Sequence, residues 1–240
     1  MIKNERFDKI IEILEKENYS TVDHLAKLLF VAPVTIRRDL KKLEQDGLVN
    51  TCYGGVSLVH DPNKETPWIT RKKFNNVIKK QLAKKAAELI PNGSTVFLDA
   101  SSTVSYIIEC LEPEKNITII TNGMEALSFA TQKHIKAYST GGKVVDNSFA
   151  LTGAIAIRSV QSMYANLMFF SSNGISQDGH ITDQSESETE LRRAMLANSD
   201  KRYFLCDSSK LCKSFLFHVC HASELDDVIC DQPLSFSSPM

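Results

Sequence analysis

The first 47 residues contain three segments in which apolar side chains recur every three or four residues, the spacing of one helical face. The apolar positions are Phe7, Ile10, Ile11 and Leu14; Val22, Leu25, Ala26 and Leu29; and Ile36, Leu40 and Leu43. Ser20 followed by Asp23 resembles a capping box that would begin the second helix. Pro33 suits the first turn of the third helix, and Gly47 suits the position after its end. The pattern predicts three helices.

A different pattern follows the third helix. Residues 48–51 and 56–59 are two short apolar and hydroxyl-rich runs on either side of Gly54-Gly55, which predicts a two-stranded hairpin. Three helices and a hairpin form a winged helix. We therefore expect residues 1–59 to be a winged helix-turn-helix domain.

From residue 76 onward, short apolar runs alternate with segments of helical spacing, which predicts a mostly parallel α/β sheet. The predicted strands are 95–98, 117–120, 135–138, 167–170 and 203–206. Each strand is followed by small and polar residues. The carboxyl ends of parallel strands lie along one edge of a sheet, so we expect these five loops to form one polar crevice.

The segment between the two patterns contains Pro62 and Pro67, lacks apolar periodicity and is polar, which predicts an exposed linker. The predicted division is thus residues 1–59, a linker over residues 60–75, and a second domain over residues 76–240.

The composition changes this picture mainly by excluding a global charge effect. Apolar residues make up 42% of the chain and charged residues 24%, which is ordinary for a globular protein. The 28 basic and 29 acidic side chains leave a net charge of −1. No overall positive field attracts a polyanion, so any nucleic-acid site must be local.

The third predicted helix has such a local charge. When its apolar stripe faces the core, basic side chains occupy its sides and outer face, with Asp39 as the one acid among them. The polar residues in question are Thr35, Arg37, Arg38, Lys41 and Lys42. This arrangement fits a helix that meets phosphates and base edges, and it also fits the solvated side of an ordinary amphipathic helix.

The remaining sequence features point to an intracellular protein. The N-terminus is charged and no stretch approaches the ~20 apolar residues of a membrane span, so we expect a cytoplasmic location without membrane contact. The six cysteines form no C-x-x-C pair and indicate free thiols. Cys212, His218, Cys220 and His221 are irregularly spaced, which favours core thiols beside histidines over a zinc site, and we expect no cofactor.

The N-terminal motif resembles the DNA-binding signature of DeoR-family bacterial transcription regulators. The residues that carry the resemblance are Arg6, Ile10 and Leu14, the run Ala32-Pro33-Val34-Thr35-Ile36-Arg37-Arg38-Asp39-Leu40, and the pairs Leu43-Glu44 and Gly47-Leu48. The resemblance implies that the polar residues of the third helix contact double-stranded operator DNA, with Asp39 as a helix-surface partner of a basic residue. Ala32 departs from the pattern, because Ser usually stands there and caps the helix.

The loops of the second domain offer hydroxyls, amides, backbone N–H groups and a few charges. Ser102 and Thr103 precede a predicted helix and could hold an anion. Asp99 could accept hydrogen bonds from sugar hydroxyls, and Lys210 could pair with a phosphate. Each loop alone is equally an ordinary turn, because Asp, Ser, Asn and Gly are common turn residues.

Taken together, the loops are similar to the sugar-phosphate sensor domain of the same DeoR family, whose fold resembles that of ribose-5-phosphate isomerase. The resemblance implies effector-binding roles for Asp99, Ser102, Thr103, Thr121, Asn122, Gly141, Gly142, Asn173, Gly174, Glu188 and Lys210.

The predicted function is that of a DNA-binding transcription regulator, a repressor whose operator affinity is changed by a phosphorylated sugar in the second domain. One small winged helix binds DNA weakly, so we expect a homo-oligomer on repeated half-sites. The alternatives are a sugar-phosphate isomerase-like enzyme with an appended winged helix and a winged helix that contacts only proteins. The isomerase-like alternative predicts turnover of a sugar phosphate, whereas we expect the regulator not to be an enzyme.

Overall fold

The computed structural model describes residues 3–17, 19–45, 48–52, 55–58, 67–145 and 148–234. The chain divides into two units, Met1–Phe74 and Asn75–Met240. The predicted helix-ending Gly47, the hairpin residue Gly54 and residues 60–66 of the predicted linker lie outside the described residues.

The first unit consists of helices and a small antiparallel sheet. In chain order its elements are α1 (Lys3–Glu17), β1 (Tyr19–Ser20), α2 (Val22–Leu28), α3 (Pro33–Gln45), β2 (Val49–Cys52), β3 (Gly55–Leu58) and α4 (Trp68–Lys73). The strand order is β1-β3-β2, and β3 pairs with both neighbours in antiparallel register. The winged helix-turn-helix prediction is confirmed, with β1 as a third strand that the pattern did not predict.

The predicted apolar stripes of α1, α2 and α3 meet in one core. Ile10, Leu14, Leu25 and Ile36 are fully buried in it. Burial of these faces, rather than the helix propensity of such short segments, holds the three helices together.

The predicted start of α2 is wrong by one residue. Ser20 is the last residue of β1 and is buried, whereas Thr21 is the N-cap of α2. The Thr21 hydroxyl oxygen accepts a hydrogen bond from the His24 backbone N–H at 3.1 Å. Ser20 and Thr21 are adjacent hydroxyl residues, and either could cap α2 by its residue type. Because Ser20 pairs with β3 as part of β1, Thr21 is the cap.

Ala32 occupies the N-cap position of α3, where its carbonyl accepts the Thr35 N–H at 2.9 Å and its side chain offers no acceptor. We expect Ala32→Ser to raise the free energy of unfolding of this unit by about 1 kcal/mol, because a serine hydroxyl would satisfy a free N–H of the first turn. Trp68, the only tryptophan of the chain, is buried in this unit, so urea unfolding followed by its fluorescence measures the change. Ala32→Val is the control without a gain, and an equal gain from valine would contradict the capping explanation.

Part of the predicted linker is helical. Residues 68–73 form α4, in which Trp68 and Thr70 are buried and the Lys72 ammonium lies 5.3 Å from the centre of the Trp68 ring. A six-residue helix has too few turns to show an apolar period, so the pattern missed it.

The second unit is an α/β structure with a six-stranded sheet. Its helices are α5 (Asn76–Glu88), α6 (Ser105–Cys110), α7 (Met124–Gln132), α8 (Ala154–Gln161) and α9 (Glu186–Ala197). Its strands are β4 (Thr95–Leu98), β5 (Thr118–Thr121), β6 (Lys136–Ser139), β7 (Lys143–Val145), β8 (Ala150–Thr152), β9 (Ala165–Phe170), β10 (Gly174–Ile175), β11 (His180–Asp183), β12 (Ser199–Cys206), β13 (Phe217–His221) and β14 (Asp227–Cys230).

The large sheet has the strand order β14-β12-β9-β4-β5-β6, and all of its pairings are parallel. The mostly parallel α/β prediction is confirmed, and β14 is an additional strand. The chain passes outward from β4 to β6 and later from β9 to β14 in the other direction. The neighbours β4 and β9 therefore form a topological switch point, where ligands bind in sheets of this kind.

Both faces of this sheet are buried. Val96 and Leu98 belong to the apolar cluster on one face, and Phe97 belongs to the cluster on the other. In β9, Leu167 and Met168 divide between the two faces in the same way. Burial on both faces explains why the strands are continuous apolar runs rather than alternating ones.

Two smaller sheets complete the unit. Strands β7 and β8 form an antiparallel pair, and β10, β11 and β13 form a three-stranded sheet. Neither was predicted, because strands of two to five residues leave too short a pattern.

Candidate functional site

Helix α3 exposes most of its charged side chains. Its buried residues are Ile36, Asp39, Leu40 and Leu43. Arg37, Arg38, Lys41 and Lys42 are exposed and Thr35 is half-buried. Within the described part of the chain, Arg37 and Arg38 make no ion pair. The guanidinium groups are thus available to an external anion.

Asp39 is not the helix-surface residue that was predicted. It is fully buried, and one of its carboxylate oxygens forms an ion pair with the Arg6 Nε from α1. The hydrogen bond to Asp39 raises the pKa of Arg6, against the effect of burial. The pair crosses the core and ties α1 to α3, so this acid orients the helix rather than pairing with its neighbours on the surface.

The wing is also tied to α3. The backbone N–H of Thr51 donates to the Glu44 carboxylate at 3.0 Å, and the Thr51 hydroxyl donates to the same oxygen. These hydrogen bonds lower the pKa of Glu44. Thr51 therefore holds the hairpin against the helix.

In the second unit, Asp99 follows β4 at the switch point and is almost fully buried. Its Oδ1 accepts the Ser101 N–H at 3.1 Å. Its Oδ2 accepts the Arg192 Nε–H at 2.8 Å and the Ser171 N–H at 3.4 Å. The carboxylate thus joins the loops after β4 and β9 to helix α9.

Arg192 on α9 lies between three carboxylates. Besides Asp99, its Nη1 donates to Asp183 and its Nη2 to Glu188, each at 2.9 Å. Its side chain is 4% exposed. Burial opposes the charge of this group, but the three carboxylates outweigh burial and raise the pKa of Arg192. Glu188 was a predicted site residue, whereas Arg192 and Asp183 were missed.

The loop after β12 carries a lysine and a buried carboxylate, Lys210 and Asp207. The Lys210 ammonium donates to the Ser171 hydroxyl at 2.7 Å. Asp207 is buried, and although burial raises the pKa of Asp207, Lys210 and hydrogen bonds outweigh it and lower that pKa. Asn75 donates to Asp207 Oδ1 at 3.1 Å.

A second ammonium group lies at the same end of the sheet. Lys79 on α5 is 3% exposed, and its Nζ donates to the Ser102 hydroxyl at 3.2 Å. Its positive charge is among those that lower the pKa of Asp207, so Lys79 and Lys210 act on the same carboxylate. Lys79 was not among the predicted site residues, and its burial beside Ser102 was not predicted.

The loops after β5 and β6 lie on the other side of the switch point. Thr121 Oγ1 accepts the Gly123 N–H at 2.9 Å, and the Asn122 amide donates to the Leu151 carbonyl at 3.1 Å. Gly141 and Gly142 both have positive φ. A Cβ on Gly142 would lie 2.4 Å from the Thr152 carbonyl oxygen, so only glycine fits there.

Asn173 and Gly174 serve the loop after β9. Asn173 Oδ1 accepts the Gln184 N–H at 3.2 Å. Gly174 begins β10, where a Cβ would lie 2.5 Å from the Lys213 carbonyl oxygen. These contacts account for both residue types without a ligand.

Three of the predicted loops contain a buried polar atom with no hydrogen-bond partner among the described residues. They are Thr103 Oγ1, Asn122 Oδ1 and Asp207 Oδ2. Buried polar atoms are nearly always paired with protein or water, so these three atoms are open to a bound polar molecule or to water.

The histidine and cysteine cluster takes a different form from the one that the sequence suggested. His218 lies against His180, with 3.2 Å between their ring nitrogens, and His221 packs on His180. Among the described residues, no group of three or more His, Cys, Asp or Glu side chains could hold a metal ion. Within that part of the chain, no helix is long and apolar enough to cross a bilayer.

Comparison with known proteins decides the family. The family model of the DeoR-like helix-turn-helix domain matches residues 6–61, and the model of the DeoR C terminal sensor domain matches residues 75–232. The chain belongs to the DeoR family. As a DeoR-family member it is a helix-turn-helix transcription regulator with a C-terminal sensor domain.

DeoR-family relatives align over nearly their whole length. The transcriptional regulator GolR of Listeria innocua is 33% identical over 98% of this chain and 93% of its own. The L-fucose operon activator of Haemophilus influenzae is 31% identical over 96% of this chain and 93% of its own. The glycerol-3-phosphate regulon repressor of Escherichia coli is 28% identical over 97% of this chain and 92% of its own.

Similarity to solved structures is slighter. A ribose 5-phosphate isomerase from Methanocaldococcus jannaschii aligns with 57% of this chain and 55% of its own, at 18% identity and a TM-score of 0.42. A likeness of this extent bears on neither ligand nor activity. The regulator assignment rests on the family models and the curated relatives.

Proposed function

We propose that this DeoR-family regulator represses transcription by placing α3 on operator DNA, and that a phosphorylated sugar bound at the carboxyl edge of the large sheet changes its operator affinity. The exposed Arg37 and Arg38 support the DNA contact. The name of the glycerol-3-phosphate regulon repressor supports both the direction of control and the class of effector. The H. influenzae relative is named as an activator, so experiment must decide whether this protein represses or activates transcription.

The observation that carries the effector proposal is the convergence of two ammonium groups and three unpaired polar atoms on one edge. Lys79, Lys210 and the Ser102 hydroxyl offer the charge and donors that a phosphate requires. Thr103 Oγ1 and Asn122 Oδ1 are buried, unpaired partners for sugar hydroxyls. These five groups come from α5 and from the loops after β4, β5 and β12.

The contacts of Asp99 and Glu188 support a different role from the predicted sugar contacts. Asp99 already accepts three hydrogen bonds, and Glu188 is an acceptor of Arg192. We propose that both position the loops that surround the effector. Asp207, whose Oδ2 is unpaired, is a better acceptor for a sugar hydroxyl than Asp99.

The isomerase-like alternative is not favoured, because both family models and the curated relatives describe transcription regulators. We also propose that the protein acts in the cytoplasm as a homo-oligomer. Two recognition helices on repeated half-sites would supply the phosphate contacts that one winged helix lacks.

The test is a shift assay on the DNA upstream of its own gene, titrated with a panel of sugar phosphates at fixed salt. We expect one phosphosugar to change the DNA dissociation constant about 5- to 150-fold, the range of a coupling of about 1–3 kcal/mol. The matching unphosphorylated sugar is the ligand control. Lys210→Gln is expected to abolish the response while leaving DNA binding intact.

Lys201→Gln is the matched protein control, because Lys201 is exposed near the opposite end of the same strand, β12. An equal loss of response in both lysine variants would argue against a phosphate at Lys210. Failure of every phosphosugar would overturn the effector proposal and leave the DNA-binding assignment standing.

A further inference from the structure

Two cysteines lie side by side where the strands β12 and β14 end. Cys206 and Cys230 are the last residues of these parallel strands and are in direct register. Neighbouring strands lie about 4.8 Å apart, which is within the Cα separations that disulfides bridge. Both side chains pack in the same apolar cluster. The pair is therefore close enough to be joined with little movement of the backbone.

The two thiols differ in access. Cys206 is fully buried, whereas Cys230 is partly exposed. The Cys206 thiol donates to the Asp207 carbonyl at 3.4 Å, and the Cys230 thiol donates to the Asp231 carboxylate at 3.6 Å. The interaction of the two neighbouring sulfurs lowers the pKa of Cys230 to about 7 and, together with burial, raises the pKa of Cys206. The thiolate, which is the reactive form, thus forms on the sulfur that solvent reaches, with a protonated thiol beside it.

Cys110, Cys212 and Cys220 lack this combination. Cys220 is the fourth of the five residues of β13 and lies opposite Ile181, and burial raises its pKa to about 12. Cys212 is exposed, as is Cys110, whose pKa is raised by burial. Of the five cysteines whose side chains the structure describes, only Cys230 combines partial exposure with a cysteine directly opposite it on a paired strand.

The pair is connected to the candidate effector site through the loop after β12. Asp207 follows Cys206 directly, and Lys210 ends the same loop. Asp231, which follows Cys230, accepts the Ser208 backbone N–H at 2.7 Å and the Ser208 hydroxyl at 2.9 Å. A change in the separation of the two strand ends is therefore transmitted to both sides of this loop.

We propose that Cys206 and Cys230 are a redox-sensitive pair that forms a reversible disulfide in response to hydrogen peroxide. The Cys230 thiolate attacks the peroxide O–O bond, which gives a sulfenic acid and, with one proton, water. The Cys206 thiol then attacks the sulfenic sulfur, an S–S bond forms, and a second water leaves. In total two thiols lose two electrons and one peroxide becomes two waters, and a dithiol reductant reverses the change.

The bond has a structural consequence. Side chains on paired parallel strands keep roughly the strand spacing of about 4.8 Å, whereas Cβ atoms in disulfides lie about 3.8 Å apart. Oxidation therefore draws the ends of β12 and β14 together and moves the 207–210 loop. That this movement changes effector binding rests on the function proposed above, whereas formation of the bond does not.

The first test treats the full chain with hydrogen peroxide, blocks free thiols, and digests it with trypsin and a glutamate-specific protease. These enzymes separate Cys206 (residues 203–210), Cys212 (211–213), Cys220 (214–224) and Cys230 (225–240). We expect a cross-link between residues 203–210 and 225–240 that dithiothreitol removes. A cross-link from either cysteine to Cys212 or Cys220 would overturn the proposal. Oxidation of Cys230 by the peroxide without a cross-link to Cys206 would overturn it as well.

Variants separate the two steps. Cys230→Ser is expected to abolish the cross-link, and Cys206→Ser is expected to leave Cys230 as a sulfenic acid that dimedone traps. Cys220→Ser is the matched control and should cross-link as the parent does. Equal sulfenic acid yield at Cys206 and Cys230 would contradict the assigned order of attack.

The second test measures hydrogen exchange of residues 203–211 in reduced and oxidised protein without any sugar. We expect exchange of the loop amides to change at least about threefold, while the peptide containing β9 stays the same. A disulfide without a change in loop exchange would refute the structural coupling. Because neither test uses an effector, both can succeed or fail independently of the sugar-phosphate proposal.

Discussion

Replacing Arg192 by methionine is expected to lower the free energy of unfolding of the second unit by about 3–5 kcal/mol, the cost of removing one partner from a buried ionic network. The substitution leaves Asp99, Asp183 and Glu188 buried without the guanidinium that pairs with all three. Urea unfolding followed by circular dichroism measures the loss. The loss should shrink as the pH falls, because carboxyls that lack their counter-charge gain stability when protonated.

Two further variants define the cause. Arg192→Lys keeps the charge but replaces the planar guanidinium by a single ammonium group, which cannot reach all three carboxylates. An intermediate loss in the free energy of unfolding is therefore expected. Arg193→Gln removes the neighbouring exposed arginine, whose removal should cost less than about 1 kcal/mol. A loss of the same size in the Arg193 variant, or one that grows toward low pH, would show that the buried network is not the source.

The double substitution Arg37→Gln with Arg38→Gln is expected to weaken operator binding at least about thirtyfold, since each arginine that binds a base or a phosphate contributes about 1–3 kcal/mol. The slope of log K against log salt should also become shallower, by about 0.9 for every phosphate that the two guanidinium groups neutralise. Titration of the upstream DNA by fluorescence anisotropy at several salt concentrations gives both values.

The matched control is Lys84→Gln with Lys85→Gln, which removes the same charge from exposed positions on α5 of the second unit. This control should leave affinity nearly unchanged. If both double variants lowered the affinity and the salt slope equally, the effect would be one of net charge and α3 would lose its assigned role. If neither variant changed DNA binding, the winged helix would be a protein-contact module.

The sequence predicted the elements whose apolar pattern extends over several residues and that bury either one face, as a helix does, or both faces, as a central strand does. Helices α1 and α3 and the strand β4 follow directly from such patterns. The errors occur where a local pattern has two solutions that tertiary contacts decide. Thr21 caps α2 because Ser20 pairs in β1, and Asp39 is buried because Arg6 reaches it from another helix.

The site was predicted as a set of loops, and the groups that complete it lie outside those loops. Lys79 and Arg192 come from helices, where a basic residue normally lies in solvent. Their burial depends on how α5 and α9 pack, which no local pattern contains. The spacing of Glu188 and Arg192, four residues apart on a helix, was the one signal available, and it is common on exposed helices as well.

The reversal of chain direction at β4 and β9 divides the crevice between two stretches of sequence. The loops after β4, β5 and β6 come from the first stretch, and those after β9 and β12 come from the second. The residues that carry Lys210 can therefore be exchanged with those of a relative as one uninterrupted block, without touching Asn122 on the other side. Under the proposed function, such hybrids offer a route to regulators that respond to other effectors, because each half of the proposed effector site is encoded by its own portion of the gene.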